Sequence, residues 1–134
     1  MRGIDTNILV RFLVADDEYQ AKTVYHIFKK AESNKEELFV PYVVMLELIW
    51  VLESVYEISR NDILDSISEL LLMPIFEFEK LTALQEFIPL AQKSKYDLSD
   101  LLIGISAKNS GCENVITFDK KASKSNLFEL AKIT

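Results

Sequence analysis

The sequence predicts an α/β fold layered around a short, mostly parallel sheet. Three observations carry this. Brief β-prone runs, such as Leu38-Phe39-Val40 and Val115-Ile116-Thr117, alternate with longer stretches of helical periodicity. Hydrophobic residues make up 49% of the 134, enough to bury the core of one domain. Only three Gly and three Pro occur, so no linker, repeat or low-complexity segment divides the chain, and residues 1–134 are expected to form a single domain.

The elements follow in order. Arg2-Gly3-Ile4 reads as a first strand because of what comes next: Asp5-Thr6-Asn7 offers helix caps, and Ile8, Leu9, Phe12 and Leu13 recur at helical spacing. A second amphipathic helix is expected over Tyr19–Ser33. Leu38-Phe39-Val40 forms a strand whose ladder Pro41 ends. Val43–Tyr56 is nearly apolar all round and predicts a buried helix. Ser59, with Asp62 three residues on, caps a helix ending near Leu72. Pro74–Phe78 is a strand, and Lys80–Lys93 a helix that Pro89 is expected to bend or shorten. Asp97-Leu98-Ser99-Asp100 opens a helix to about Ser110, closed by Gly111. Asn114–Thr117 is a strand, and a last short one falls near Phe128–Leu130.

Cys112 is the lone cysteine, so no internal disulfide can form; it is expected to be a semi-buried apolar residue in a reducing compartment. The apolar stretch Ile8–Ala15 is broken by Arg11 and makes a poor signal peptide. Val43–Leu52 contains Glu47 and is half the length of a membrane span. A cytoplasmic protein with no membrane association is the expectation. The net charge of −6 argues, taken alone, against a nucleic-acid binder that works by neutralising phosphates.

Chemistry is carried by acids. In open parallel sheets, ligands bind beyond the carboxyl ends of the strands. Asp5 directly follows the first strand, Asp119 follows Val115-Ile116-Thr117 after one residue, and Asp100 lies in the first turn of a helix. Glu47 stands among Val43, Val44, Met45, Leu46, Leu48, Ile49 and Trp50, which leaves it no evident solvated face. An ionised carboxylate there needs a raised pKa, a basic partner or a cation. Four carboxylates converging to about 5 Å would repel by roughly 3 kcal/mol per pair at an effective dielectric near 20, so such a cluster must take up protons or bind a hard cation such as Mg²⁺ or Mn²⁺. Other hydrolytic kits are missing: there is no Gly-rich phosphate loop, and a Ser-His-Asp triad would have to use His26, which sits in an amphipathic helix pattern. Each acid also has a structural role open to it: Asp5 and Asp97 as caps, Asp100 as a first-turn acid, Asp119 as a turn residue, Glu47 in a buried ion pair.

The run Gly3-Ile4-Asp5-Thr6-Asn7-Ile8-Leu9-Val10 resembles the start of PIN-domain nucleases, in particular VapC-type toxins of prokaryotic toxin–antitoxin modules. The likeness continues in Arg11–Asp17, Leu46-Glu47-Leu48-Ile49-Trp50-Val51-Leu52, Tyr96–Ile103 and Val115-Ile116-Thr117-Phe118-Asp119-Lys120, in order along nearly the whole chain. The resemblance implies a three-layer α/β/α PIN-like fold and assigns metal ligation to Asp5, Glu47, Asp100 and Asp119. It gives Thr117 a hydroxyl position supporting the acids, Asn7 a role in ordering the first acid, and Asp97 a place beside the third.

By the same resemblance the activity is endoribonuclease cleavage of structured RNA, with Mg²⁺ or Mn²⁺ holding the scissile phosphate and activating a water, and the products carry a 5′-phosphate and a 3′-hydroxyl. It further implies a cognate antitoxin and a homodimer; the apolar surplus around Met45, Ile49 and Trp50 suits the core better than an interface. Lys93, Lys95, Lys120, Lys121 and Lys124 flank the third and fourth acids and offer a local basic rim for RNA despite the acidic total. The alternatives are a non-catalytic PIN-like module, a structure-specific DNA nuclease, and a phosphatase with Asp5 as nucleophile. The last usually wants a second acid where this chain has Asn7.

Overall fold

A computed structural model describes residues 1–133. Its contacts divide the chain into two compact units, Met1–Leu81 and Thr82–Thr134.

The first unit is a parallel three-stranded sheet with four helices. Strands β1 (Arg2–Gly3), β2 (Leu38–Val40) and β3 (Phe76–Phe78) lie in that order, with Arg2 opposite Leu38 and Leu38 opposite Phe76. Helix α1 (Thr6–Leu13) starts two residues after β1, because Asp5 is extended and its carboxylate accepts the Ile8 N–H at 3.3 Å. α1 packs on α2 (Glu18–Ser33) and on α3 (Tyr42–Ser54). α2 is capped by Asp17, which accepts the Gln20 N–H at 3.0 Å. α4 (Arg60–Leu71) is capped by Ser59, which accepts from Asp62 N–H as the spacing predicted. The core is aliphatic and aromatic: Leu9, Met45, Leu48, Ile49, Ile63 and Ile67 are buried, and Phe28, Phe76 and Phe78 form a run of edge-on ring contacts.

Arg11 ties the end of α1 to its surroundings. Its guanidinium donates to Gln20 Oε1 at 2.6 Å, to Asp16 Oδ1 at 2.9 Å and to the Tyr56 hydroxyl at 3.1 Å, and Tyr56 in turn donates to Asp16 Oδ2 at 3.0 Å. The Tyr56 hydroxyl, with Asp16 beside it, holds Arg11 still more firmly protonated than usual.

The second unit carries α5 (Leu81–Gln92, from the last residue of the first unit), α6 (Leu98–Asn109), and a parallel pair β4 (Val115–Thr117) and β5 (Phe128–Leu130), joined through a 3₁₀ turn at Ala122–Lys124 that the sequence did not announce. The strands thus fall into two parallel sheets, of three strands and of two. Pro89 does not shorten α5 as expected: it is exposed, and so is Gln85, whose carbonyl loses its helical donor, so water can take that place. Gly104 is buried in α6 where the helix meets β5. A Cβ there would lie 2.9 Å from Leu127 Cβ and 3.1 Å from a Phe128 ring carbon. Gly111, at φ +95°, makes the turn out of α6. Cys112 is exposed rather than semi-buried, because it lies in that turn. No helix among the described residues is long and apolar enough to cross a membrane.

Candidate active site

In the first unit the fold joins Asp5 to Glu47. Asp5 stands at the carboxyl end of β1, and Thr6 is the first residue of α1. Glu47 lies in the middle of α3. The Thr6 hydroxyl donates to Glu47 Oε1, and Asp5, Thr6, Asn7, Glu47 and Val51 line one cavity of about 180 Å³. Asn7 is exposed at its rim, beside the acid it was expected to help order.

The environment expected for Glu47 is corrected. α3 is not buried all round: Val43 is 67% exposed, Trp50 57% exposed, and Glu47 lies exposed between them on the same helical stripe. Trp50 is therefore a surface residue and not core, whereas Met45 and Ile49 are fully buried. Hydropathy misleads here because a folded surface is itself largely apolar. Glu47 needs neither burial nor a basic partner; solvent and the Thr6 hydroxyl satisfy it.

In the second unit Asp97, Asp100 and Asp119 interact. Asp97 caps α6 by accepting the Asp100 N–H at 3.0 Å, which is the capping role open to it from the spacing. Asp100 is half-buried, and burial raises its pKa above the usual carboxylate value, with the nearby charges of Asp97 and Asp119 adding to the shift. Asp119 is set by the turn after β4. Thr117 Oγ1 accepts the Asp119 N–H at 3.0 Å, and Asp119 Oδ1 accepts from Lys121 N–H at 2.9 Å and Ala122 N–H at 3.1 Å. Thr117 thus supports the acid from behind, by fixing the backbone on which it sits.

Sequence reading missed Thr6, treating it as one of three capping residues. Its signal was available only in part: a hydroxyl buried at a helix start needs a partner, but nothing in the spacing pointed to Glu47. His26, by contrast, is exposed on α2.

Within either unit, among the described residues, no three carboxylate, imidazole or thiol groups gather closely enough to hold a metal ion by themselves. Each unit supplies instead a small set of hard oxygen donors: Asp5 and Glu47 in one, Asp100 and Asp119 with Asp97 in the other. That chemistry fits Mg²⁺ or Mn²⁺, since Mg²⁺ keeps several waters and takes one or two carboxylates. Burial raises Asp100 most, and a cation would relieve the repulsion from Asp97 and Asp119 that adds to it.

A family model described as the PIN domain matches residues 4–126. The chain is also 31% identical, over 124 residues, to a VapC ribonuclease of Aquifex aeolicus (strain VF5), with 92% of this chain and 91% of the relative covered.

Proposed function

The chain belongs to the PIN-domain family, and from that premise we propose that it is a Mg²⁺- or Mn²⁺-dependent endoribonuclease, the toxin component of a type II toxin–antitoxin pair. The observation that carries the proposal is the shared cavity of Asp5 and Glu47, two acids far apart in the chain, the second of which the Thr6 hydroxyl holds. The likeness to a relative named as a ribonuclease supports RNA as substrate.

In this reading Asp5 and Glu47 in the first unit, and Asp100 and Asp119 in the second, serve as metal ligands, and residues 1–134 work as a single nuclease domain. The family match running through both units supports that. A bound divalent ion supplies Lewis acidity to the scissile phosphate and lowers the pKa of a water. The chain does the rest. The Asp5 carboxylate is held by the Ile8 N–H at its helix start, and Asp97 fixes the backbone from which the Asp100 carboxylate projects. The Asp119 carboxylate accepts from two backbone N–H groups in its turn, and its own N–H donates to the Thr117 hydroxyl. Lys120, Lys121 and Lys124 are exposed beside it and can meet the RNA backbone. The antitoxin and a homodimer are the proposed partners.

The test is incubation of structured RNA with purified protein in Mn²⁺ or in EDTA, alongside a DNA hairpin of matched sequence. Cleavage of RNA in Mn²⁺ alone is expected. Equal cleavage of the DNA would point to a structure-specific nuclease, and no cleavage of either to a binding module. Light scattering at micromolar concentration tests the dimer, which a monomeric mass would remove.

A further inference from the structure

We propose that Thr6 is a positioning residue for the Glu47 carboxylate, and that its hydroxyl is required for full divalent-metal affinity. The inference rests on the nuclease reading above and adds a residue to it.

Thr6 is 5% exposed, and only it and Ser125 are buried polar residues among those described. Its hydroxyl is spent on Glu47 Oε1. The Thr6 hydroxyl donates and the Glu47 carboxylate accepts, so the bond fixes the hydroxyl proton. The two partners are unequal. Thr6 is the first residue of α1, directly after the Asp5 cap, and is β-branched, so its Oγ1 sits on a rigid frame. Glu47 is a long, exposed side chain on α3 that would otherwise sample several rotamers. The bond therefore runs from the fixed group to the mobile one. It commits Oε1 and holds the carboxylate at the cavity that Asp5 also lines. Such outer hydrogen bonds orient ligating groups, and their loss commonly weakens metal binding by 10- to 100-fold.

The experiment uses the full chain with Mn²⁺ as the probe. Isothermal titration calorimetry measures Mn²⁺ affinity for the wild type, Thr6→Val and Thr6→Ser, and thermal melting in EDTA checks the fold. Valine keeps the shape and removes the donor; serine keeps the donor. The expected result is a loss of about tenfold or more in affinity for Thr6→Val, recovery to near wild type in Thr6→Ser, and similar melting of all three. RNA cleavage should lose kcat in Thr6→Val with KM unchanged. Thr6→Ala is the second donor-less variant should valine disturb the fold. Wild-type Mn²⁺ affinity in the donor-less variants, or a serine variant as defective as valine, overturns the role of Thr6 while leaving the nuclease reading intact. A wild type that binds no Mn²⁺ and cuts no RNA overturns both.

Discussion

Glu79, just past the end of β3, accepts the backbone N–H of Tyr42 at 2.8 Å. The contact caps α3 from a distant part of the chain. The residue before the helix is Pro41, which has no side-chain acceptor to offer, so the first turn of the helix that carries Glu47 depends on an acid from the neighbouring strand. Replacing Glu79 by Ala should destabilise the protein by about 1 kcal/mol. Urea unfolding would show this as a lower midpoint with an unchanged slope. An unchanged midpoint would mean the cap carries no net stability.

Asp5 has two roles that substitution can separate. Asn retains an oxygen for the Ile8 N–H but removes the charge; Ala removes both. Asp5→Asn should abolish RNA cleavage at close to wild-type stability. Asp5→Ala should be equally inactive and about 1 kcal/mol less stable. Paired cleavage and melting measurements decide, and residual activity in either variant counts against Asp5 as a ligand.

Asp100 makes stability depend on pH in a direction opposite to that of most carboxylates. Burial, then Asp97 and Asp119, raise its pKa in the fold above the ordinary 3.8. A carboxyl raised in the native state favours folding at a pH below its unfolded value, and that contribution is lost as the pH rises through the folded value. In EDTA, Asp100→Asn should therefore melt at a higher temperature than wild type near neutral pH, with the gap closing toward pH 3. Mn²⁺ should raise the wild-type melting temperature and leave the variant largely unmoved. A metal held at 100 times its Kd corresponds to about 2.7 kcal/mol. A wild type that gains nothing from Mn²⁺ would argue against ligation by Asp100.

At Gly104, α6 packs against Leu127 and Phe128. An Ala there gains about 1 kcal/mol of helix propensity but places its Cβ 2.9 Å from Leu127. Overpacking of this kind costs 1–3 kcal/mol, so Gly104→Ala should be neutral to destabilising by about 2 kcal/mol. A rise in melting temperature would show that Leu127 yields easily.

How much of this was legible in the sequence differs from residue to residue. The caps at Asp5, Ser59 and Asp97 were readable because capping is a local matter of residue type and the pattern that follows. The strands β2 to β5 were readable as apolar runs and β1 only from the cap that follows it, and the parallel pairing of β1, β2 and β3 followed from the helices between them. Apart from the family resemblance, Glu47 was singled out for a reason that fails: its neighbours are apolar, but Val43 and Trp50 are exposed. Burial depends on which helical face meets the core, and a helix that is apolar on every side does not declare it. Asp17 as the cap of α2, the Arg11–Asp16–Tyr56 network and the reach of Glu79 to Tyr42 were missed for a common reason. They depend on turn geometry or on contacts between residues far apart in the chain, which periodicity does not encode.

Trp50 is the single tryptophan of the chain and is more than half exposed, one helical turn beyond Glu47 on the same face. Its indole emission is thus a built-in optical reporter for that face. It needs no label, has no second emitter of its kind to subtract, and can follow events at Glu47 in the unmodified protein in real time.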